Sequence, residues 1–146
     1  MAQTAHCHAR IRDVNRKGHL DVPQSLPTLL LIAHGSRRSE ANDEVRRTAD
    51  ALAAALSDTY AAVRVAFLEL AEPSIPDAVA TLALDGVRAF DVLPWLLSAG
   101  AHVQEDVPQL LHAAAAEHQL AVRLLPHLGG LDGFPEAVAE LLKRSF

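Results

Sequence analysis

The sequence predicts an α/β protein of three layers (α/β/α), with helices on both faces of a four-stranded parallel sheet. Short apolar runs alternate with segments whose apolar residues recur at helical spacing, so that strand and helix follow each other four times. Parallel neighbours in a sheet need helical crossovers, and these are right-handed. The commonest order in a small sheet of this type is 2-1-3-4, and we expect it here.

Each predicted strand is a short run that ends abruptly. The first, 29–33, is apolar throughout, as in a strand that is buried on both faces. The others are predicted at 63–68, 90–93 and 120–125. The third ends near Pro94, because proline cannot donate a hydrogen bond within a central strand.

The intervening segments carry apolar stripes with the period of a helix. The first helix is predicted to begin near Ser39, and the second to have Ser74 as its N-cap, followed by a proline and an acid in the first turn. The four stripes are Ala41, Val45, Ala49, Leu52, Ala53 and Leu56; Ile75, Ala78, Val79 and Leu82; Val107, Leu110, Leu111, Ala114 and His118; Phe134, Val138, Leu141 and Leu142.

The composition indicates one cytoplasmic domain. The chain has 146 residues, of which 50% are hydrophobic, and a net charge of −5, which argues against nucleic acid as a partner. It has neither an apolar run long enough to span a membrane nor the apolar core of a secretory signal, and its single cysteine fits a reducing compartment. We expect a flexible tail at 1–26 and one domain at 27–146. In this tail, His6, Cys7 and His8 could bind a metal, but nothing there would hold them in place.

Candidate chemistry follows the strands, because parallel α/β sheets bind ligands beyond the carboxyl ends of their strands. His34 follows the first strand, Glu69 ends the second and His102 comes after the third. In the order 2-1-3-4 these strands are neighbours, so the three side chains can converge on one metal ion or proton. Imidazole suits Fe, Co, Ni and Zn, and a carboxylate can complete an open site. We therefore take His34, Glu69 and His102 as the leading candidates for a functional site that holds a metal ion or moves a proton.

The loops beside these residues supply candidates for substrate binding. Gly35, Ser36 and Arg37 precede a helix, where backbone N–H groups and a guanidinium can receive an anion such as a carboxylate. Trp95 either stacks on a planar ligand or fills the core, and Ser98 and Gly100 belong to the small-residue loop before His102. His127 is more typical of a surface turn, and His112 and His118 of a helix. No phosphate loop or nucleophile elbow is present.

Three segments resemble the short-form sirohydrochlorin chelatases, which are ATP-independent (class II) enzymes. The segments are LLLIAHGSR ending at Arg37, VAFLELAEPS ending at Ser74 and LPWLLSAGAHVQEDVP ending at Pro108. The resemblance extends from Leu29 to the C-terminus. It implies a chelatase-like fold and an enzyme in which His34 and His102 hold the metal and act on the pyrrole protons, assisted by Glu69.

The resemblance also implies the substrates and the assembly. The expected substrates are sirohydrochlorin and a divalent ion (Co²⁺, Fe²⁺ or Ni²⁺), in cobalamin or siroheme synthesis, with no organic cofactor. Long members of the family contain two α/β units and short ones resemble a single half, so we expect a homodimer. Two rival hypotheses remain, namely a carrier of metal or tetrapyrrole that does no chemistry, and a hydrolase or phosphoryl-transfer enzyme built on His34-Gly35-Ser36. Which metal is used, and whether Glu69 ligates it or only moves protons, stays open.

Overall fold

The computed structural model describes residues 25–146, so the predicted tail, with His6, Cys7, His8 and His19, lies almost wholly outside the described residues. The strands and helices alternate along the chain. They are β1 Thr28–Ala33, α1 Ser39–Ala55, β2 Ala62–Phe67, α2 Ile75–Leu84, β3 Ala89–Pro94, α3 Val107–Glu117, β4 Ala121–Leu124 and α4 Phe134–Arg144. The predicted elements are all present, and their ends differ from the predicted ones by a residue or two.

The four strands form one parallel sheet in the order β2-β1-β3-β4, which confirms the predicted order. β1 is central and buried along its whole length. Ala33 pairs with Phe67 of β2, and Ile32 pairs with Pro94 of β3. The first three strands therefore end at nearly the same level, so that the loops after them begin side by side.

Two cores lie on opposite faces of the sheet. The larger is formed by α2 and α3 packed against residues such as Leu30, Ile32 and Val92. On the other face, Ala49 of α1 packs with Leu29 and Leu31. Because alternate side chains of β1 point to opposite faces of the sheet, this one strand contributes side chains to both cores.

The helix α2 begins as its sequence predicts. Ser74 is the N-cap, and its hydroxyl accepts a hydrogen bond from the backbone N–H of Asp77 at 3.3 Å. Proline follows within the first turn, where its missing N–H has no cost. The predicted stripe Ile75, Ala78, Val79 and Leu82 is buried.

Two of the predicted apolar stripes are only partly covered in the structure. In α1, Ala41 is exposed and the polar Asn42 beside it is buried. In α4 no residue is buried, and Leu141 and Leu142 of the predicted stripe are 62% and 55% exposed. Sequence periodicity identifies the apolar face of a helix, but it does not show what covers that face.

Asp91 of β3 lies toward the edge of the sheet opposite to the loops that follow the strands. It is buried, and both oxygens of its carboxylate accept hydrogen bonds. Tyr60 donates its hydroxyl to the Asp91 carboxylate at 2.9 Å, and Arg123 of β4 donates from Nε at 2.9 Å. Burial alone would raise the pKa of Asp91, but the hydrogen bonds from Arg123 and Tyr60 and the charge of Arg123 outweigh it and hold this pKa below its ordinary value of 3.8.

The lowered pKa of Asp91 predicts a part of the acid sensitivity of the fold. The ionised carboxylate stabilises the folded state above pH 3.8, and this contribution is lost as the pH falls through the lower folded pKa. Asp91→Asn should lower the free energy of unfolding at pH 7 by about 2 kcal/mol, the usual scale for hydrogen bonds to a charged group. Urea unfolding between pH 7 and pH 2 measures both effects. Equal pH dependence in the variant and the wild type would contradict the assignment.

Candidate functional site

The loop after β1 is tied to the loop after β2 by backbone hydrogen bonds that continue the sheet. The N–H of Leu68 donates to the carbonyl of Ala33 at 2.9 Å, and the N–H of Glu69 donates to the carbonyl of His34 at 3.0 Å. His34 and Glu69 thus lie opposite each other just beyond the last strand pair. Their side chains meet, with His34 Nε2 3.4 Å from Glu69 Oε1.

The conformation of Gly35 makes this approach possible. Its φ is +95°, a region that residues with a Cβ rarely adopt. A Cβ at this position would lie 1.8 Å from the carbonyl oxygen of Glu69. Gly35, predicted to bind substrate, therefore has a structural reason to be glycine whether or not it touches a ligand.

His102 reaches the same place from the loop after β3. It opens a π-helical turn, His102–Asp106, in which the N–H of Val107 donates to the carbonyl of His102 before α3 continues. The His102 and His34 rings lie 5.0 Å apart between centroids, at an interplanar angle of 81°. The order β2-β1-β3 thus brings together His34, Glu69 and His102, as expected of three loops at one edge.

The three side chains form an open arrangement. Those of His34, Glu69 and His102 are 44%, 51% and 49% exposed. In the described range 25–146, no group of three or more His, Cys, Asp or Glu side chains is arranged to hold a metal ion. The two imidazoles are close enough to share one ion after a small movement, while Glu69 stands beside His34. Such a site would hold an ion weakly, in contrast to a closed site of four ligands.

Two depressions in the described residues lie away from the histidines. A cavity of about 390 Å³ lies between α1, β2 and α2, lined by residues such as Arg46, Val65 and Leu82. A second depression lies at the opposite edge of the sheet, beside Asp91 and Arg123. Neither contains a predicted site residue. Depth alone therefore does not mark the histidine site, which is an uncovered edge of the sheet.

Asn42, which the sequence analysis missed, holds the loop after His34. Its Oδ1 accepts from the N–H of Ser36 at 2.9 Å, and its Nδ2 donates to the carbonyl of Ser36 at 2.7 Å. A buried polar residue in an otherwise apolar helix stripe needs such partners, because burial without them is costly. The sequence feature that could have indicated this role is the asparagine directly after Ala41, at the start of α1.

Asn42→Ala should destabilise the protein by about 2 kcal/mol, because it leaves both backbone groups of Ser36 without their partner. Glu44→Ala, an exposed change on the same helix, is the matched control and should change stability little. Thermal or urea unfolding measures both. If the two variants were equally stable, Asn42 would not be the clamp of this loop.

The remaining candidates are spread around the edge. Ser36 accepts a hydrogen bond at its Oγ from the N–H of Arg38 at 3.1 Å, and both Arg37 and Arg38 are exposed. The side chain of Trp95 is half-buried and packs against the core on the α1 side. The backbone N–H of Trp95 donates to the carbonyl of Ile32 at 2.7 Å.

The loop before His102 is exposed at Ser98 and Gly100. The carbonyl of Gly100 accepts from the N–H groups of Val103 and Gln104, so it begins the helical turn that carries His102. His127 lies in the turn after β4 with its ring against Gly130, as a turn residue would. His112 is exposed on α3. The structure thus brings two of the histidines together and leaves His127 and His112 outside their pair.

Known proteins resemble more than half of this chain. The family model described as CbiX matches residues 28–145. A sirohydrochlorin cobaltochelatase of Sulfurisphaera tokodaii is 33% identical over 115 residues, which cover 79% of this chain and 87% of that protein. A sirohydrochlorin cobaltochelatase of Methanosarcina acetivorans is 35% identical over 83 residues, 57% of this chain. The matched part spans only 62% of that archaeal protein.

A solved structure supports the same relation at the level of the fold. The sirohydrochlorin chelatase SirB from Bacillus subtilis subspecies spizizenii, in complex with cobalt, superposes with a TM-score of 0.69 at 25% identity. The match covers 82% of this chain and 50% of SirB. The present chain therefore corresponds to about half of that protein. No helix in residues 25–146 is both long and apolar enough to cross a membrane.

Proposed function

Because the chain belongs to the CbiX family, we propose that it is a sirohydrochlorin chelatase that inserts a divalent metal ion, Co²⁺ or Fe²⁺, without ATP. The observation that carries this proposal is the pair of imidazoles 5.0 Å apart, with Glu69 beside one of them, at the carboxyl edge of the sheet. The names of the relatives from Sulfurisphaera and Methanosarcina support the substrate. The proposal includes a cytoplasmic location and no organic cofactor.

The chemistry requires a metal-binding group and a proton acceptor at one place. When the ion enters the macrocycle, two pyrrole N–H protons must leave, and neutral imidazoles can accept protons near neutral pH. The same imidazoles offer lone pairs to borderline ions such as Co²⁺ and Fe²⁺. His34 and His102 can serve the two purposes in turn, because the lone pair that holds the ion is freed when the ion passes to the macrocycle and then accepts a pyrrole proton. Glu69, 3.4 Å from His34 Nε2, takes the proton on from His34. Because the side chains are about half exposed, protons pass on to water.

The open site also suits an ion that is a substrate. An ion held by two imidazoles on an exposed edge can be passed to a macrocycle, whereas four tight ligands would retain it. The carboxylates of sirohydrochlorin would lie against the loop that carries Arg37 and the N-terminus of α1, where cations and free N–H groups favour negative charge.

An anaerobic absorbance assay tests the function. Purified protein is mixed with sirohydrochlorin and excess Co²⁺, Fe²⁺ or Ni²⁺ without ATP, and the change in the macrocycle spectrum is followed. We expect many equivalents of metallated product per protein. Product that stops at one equivalent would instead identify a carrier, and no acceleration over the reaction without protein would refute both functions.

The proposal includes a homodimer, because the chain matches only half of SirB and its site is open. The surface that suits a second copy is the uncovered face of α4, where Leu141 and Leu142 are exposed. Glu136 lies in the first turn of α4, and Lys143 and Arg144 lie in its last turn, where Lys143 is paired with Glu140 at 2.8 Å. Two copies of α4 packed antiparallel would place acidic residues beside basic ones while covering the leucines.

Sedimentation tests this assembly directly. We expect a dimer for the wild type and a monomer of reduced activity for the variant Leu141→Glu/Leu142→Glu, because the charges oppose burial of this face. Leu84→Glu is the matched control, since Leu84 of α2 is 87% exposed and should stay so. A wild-type monomer with full activity would contradict the homodimer. A dimer that survives the double substitution would place the interface elsewhere.

A further inference from the structure

Asp106 holds one ring nitrogen of His102. The distance between His102 Nδ1 and Asp106 Oδ2 is 2.8 Å, which is the length expected of a charge-assisted hydrogen bond. The two residues are the first and last of the π-helical turn. Single π-helical turns are frequent at functional sites.

The bond determines which nitrogen of His102 carries the proton. An ionised carboxylate can only accept hydrogen bonds, so the nitrogen facing it must be the donor. In the neutral ring the proton is then on Nδ1, and the free lone pair is on Nε2. Capping of α3 does not explain the position of this carboxylate. Asp106 is the N-cap residue of α3, but its side chain makes no cap hydrogen bond.

His34 is held differently. Its Nε2 lies 3.4 Å from Glu69, and its Nδ1 lies 3.4 Å from the carbonyl of Gly35. Neither contact has the length of the bond between His102 and Asp106. The two histidines of the pair are therefore unequal, and only His102 has a short carboxylate contact. Carboxylate partners of this kind orient ligand histidines and raise their affinity for metals.

We propose that Asp106 is a positioning residue that fixes His102 as the Nδ1–H tautomer and leaves Nε2 free to bind the incoming metal ion. The part that concerns the metal rests on the proposed function. The tautomer itself does not, because it follows from the contact within this chain. His102 is then the ring whose binding nitrogen is defined before the ion arrives.

Nitrogen NMR of the histidine rings tests the tautomer without any substrate. In protein labelled with ¹⁵N, the wild-type spectrum at a pH where His102 is neutral should show the proton on Nδ1. Asp106→Ala should move His102 to a mixture of tautomers, and Asp106→Asn, which keeps an acceptor oxygen, should lie between. Glu105→Ala, an exposed acid in the same turn, is the control and should leave the spectrum of His102 unchanged.

Titration with Co²⁺ alone measures the effect of Asp106 on metal binding. The binding is monitored by the visible absorption of the ion. We expect Asp106→Ala to weaken Co²⁺ binding by about 10-fold or more, with a smaller loss for Asp106→Asn and none for Glu105→Ala. Far-ultraviolet circular dichroism of each variant confirms that the fold is intact.

Two results would overturn the proposal: a wild-type His102 with its proton on Nε2, or an Asp106→Ala variant that is folded and keeps both the tautomer and the affinity of the wild type. A wild-type protein that shows the predicted tautomer and binds Co²⁺, but does not turn over sirohydrochlorin, would support the role of Asp106 and refute the chelatase activity. The two proposals can therefore fail separately.

Discussion

Alanine in place of His34 or His102 should lower the rate of metal insertion by about 100-fold or more, the scale on which a positioned proton acceptor contributes to catalysis. Each substitution removes the one lone pair that, in the proposed mechanism, first holds the ion and then accepts a pyrrole proton. Since the two rings lie 5.0 Å apart and, in the proposed mechanism, act on the same ion, either loss should disable the pair. The double variant should therefore be only slightly slower than each single variant, as for residues that act as a unit.

The other histidines of the domain provide the control. His112 is exposed on α3, and His112→Ala should keep the wild-type rate. The measurement is the anaerobic assay with sirohydrochlorin and Co²⁺, run with each variant at equal concentrations of folded protein. If His34→Ala and His102→Ala both kept wild-type rates, the catalytic assignment would be wrong even in an active chelatase.

Gly35→Ala should cause the largest loss of stability of any single methyl group added at this edge, about 3 kcal/mol. A positive φ costs an L-residue about 1–2 kcal/mol, and forcing extra volume into a packed place adds about 1–3 kcal/mol. Here the new Cβ would lie 1.8 Å from the carbonyl oxygen of Glu69, so the backbone of Glu69 has to move. This movement would lengthen the hydrogen bond from Glu69 to His34, and activity should fall as well.

Gly86→Ala separates the cost of a positive φ from the cost of the steric clash. Gly86 has a φ of +82°, but a Cβ there meets nothing within 4 Å, so this variant should show the conformational cost alone, about 1–2 kcal/mol. It lies between α2 and β3, away from the histidines, and its activity per folded molecule should equal that of the wild type. Urea unfolding and the chelatase assay measure both variants. Equal losses of stability would show that the approach of Glu69 has no part in the effect.

The layout of the sheet and the convergence of His34, Glu69 and His102 could be predicted because they depend on local patterns. The run 29–33 indicates a buried central strand, and His34, Glu69 and His102 each follow a strand, so the order of the strands was enough to bring them to one edge. The family resemblance then gave these positions their proposed roles. Each of these signals lies within a few consecutive residues.

What the sequence could not predict depends on contacts between segments. The burial of Asn42 follows from its hydrogen bonds to Ser36, and periodicity favoured Ala41. The sequence does not distinguish the π-helical turn at His102 from an ordinary helix, because the hydrogen bonds of a π-helix differ from those of an α-helix by only one residue. The exposure of Leu141 shows the same limit, since its stripe is apolar but nothing in the described residues covers it.

The backbone hydrogen bonds between the loops after β1 and β2 divide the site into a fixed part and an adjustable part. His34 and Glu69 stand on one continuous ladder, so their separation is set by the sheet itself. His102 stands on its own turn, which connects to the sheet through the exposed loop that contains Ser98 and Gly100. Under the proposed function, substitutions in that loop should change the spacing between the two imidazoles, and with it the preferred size of ion, without disturbing His34 and Glu69. If the chain is a chelatase as proposed, a change in metal preference is expected first from substitutions on the β3 side.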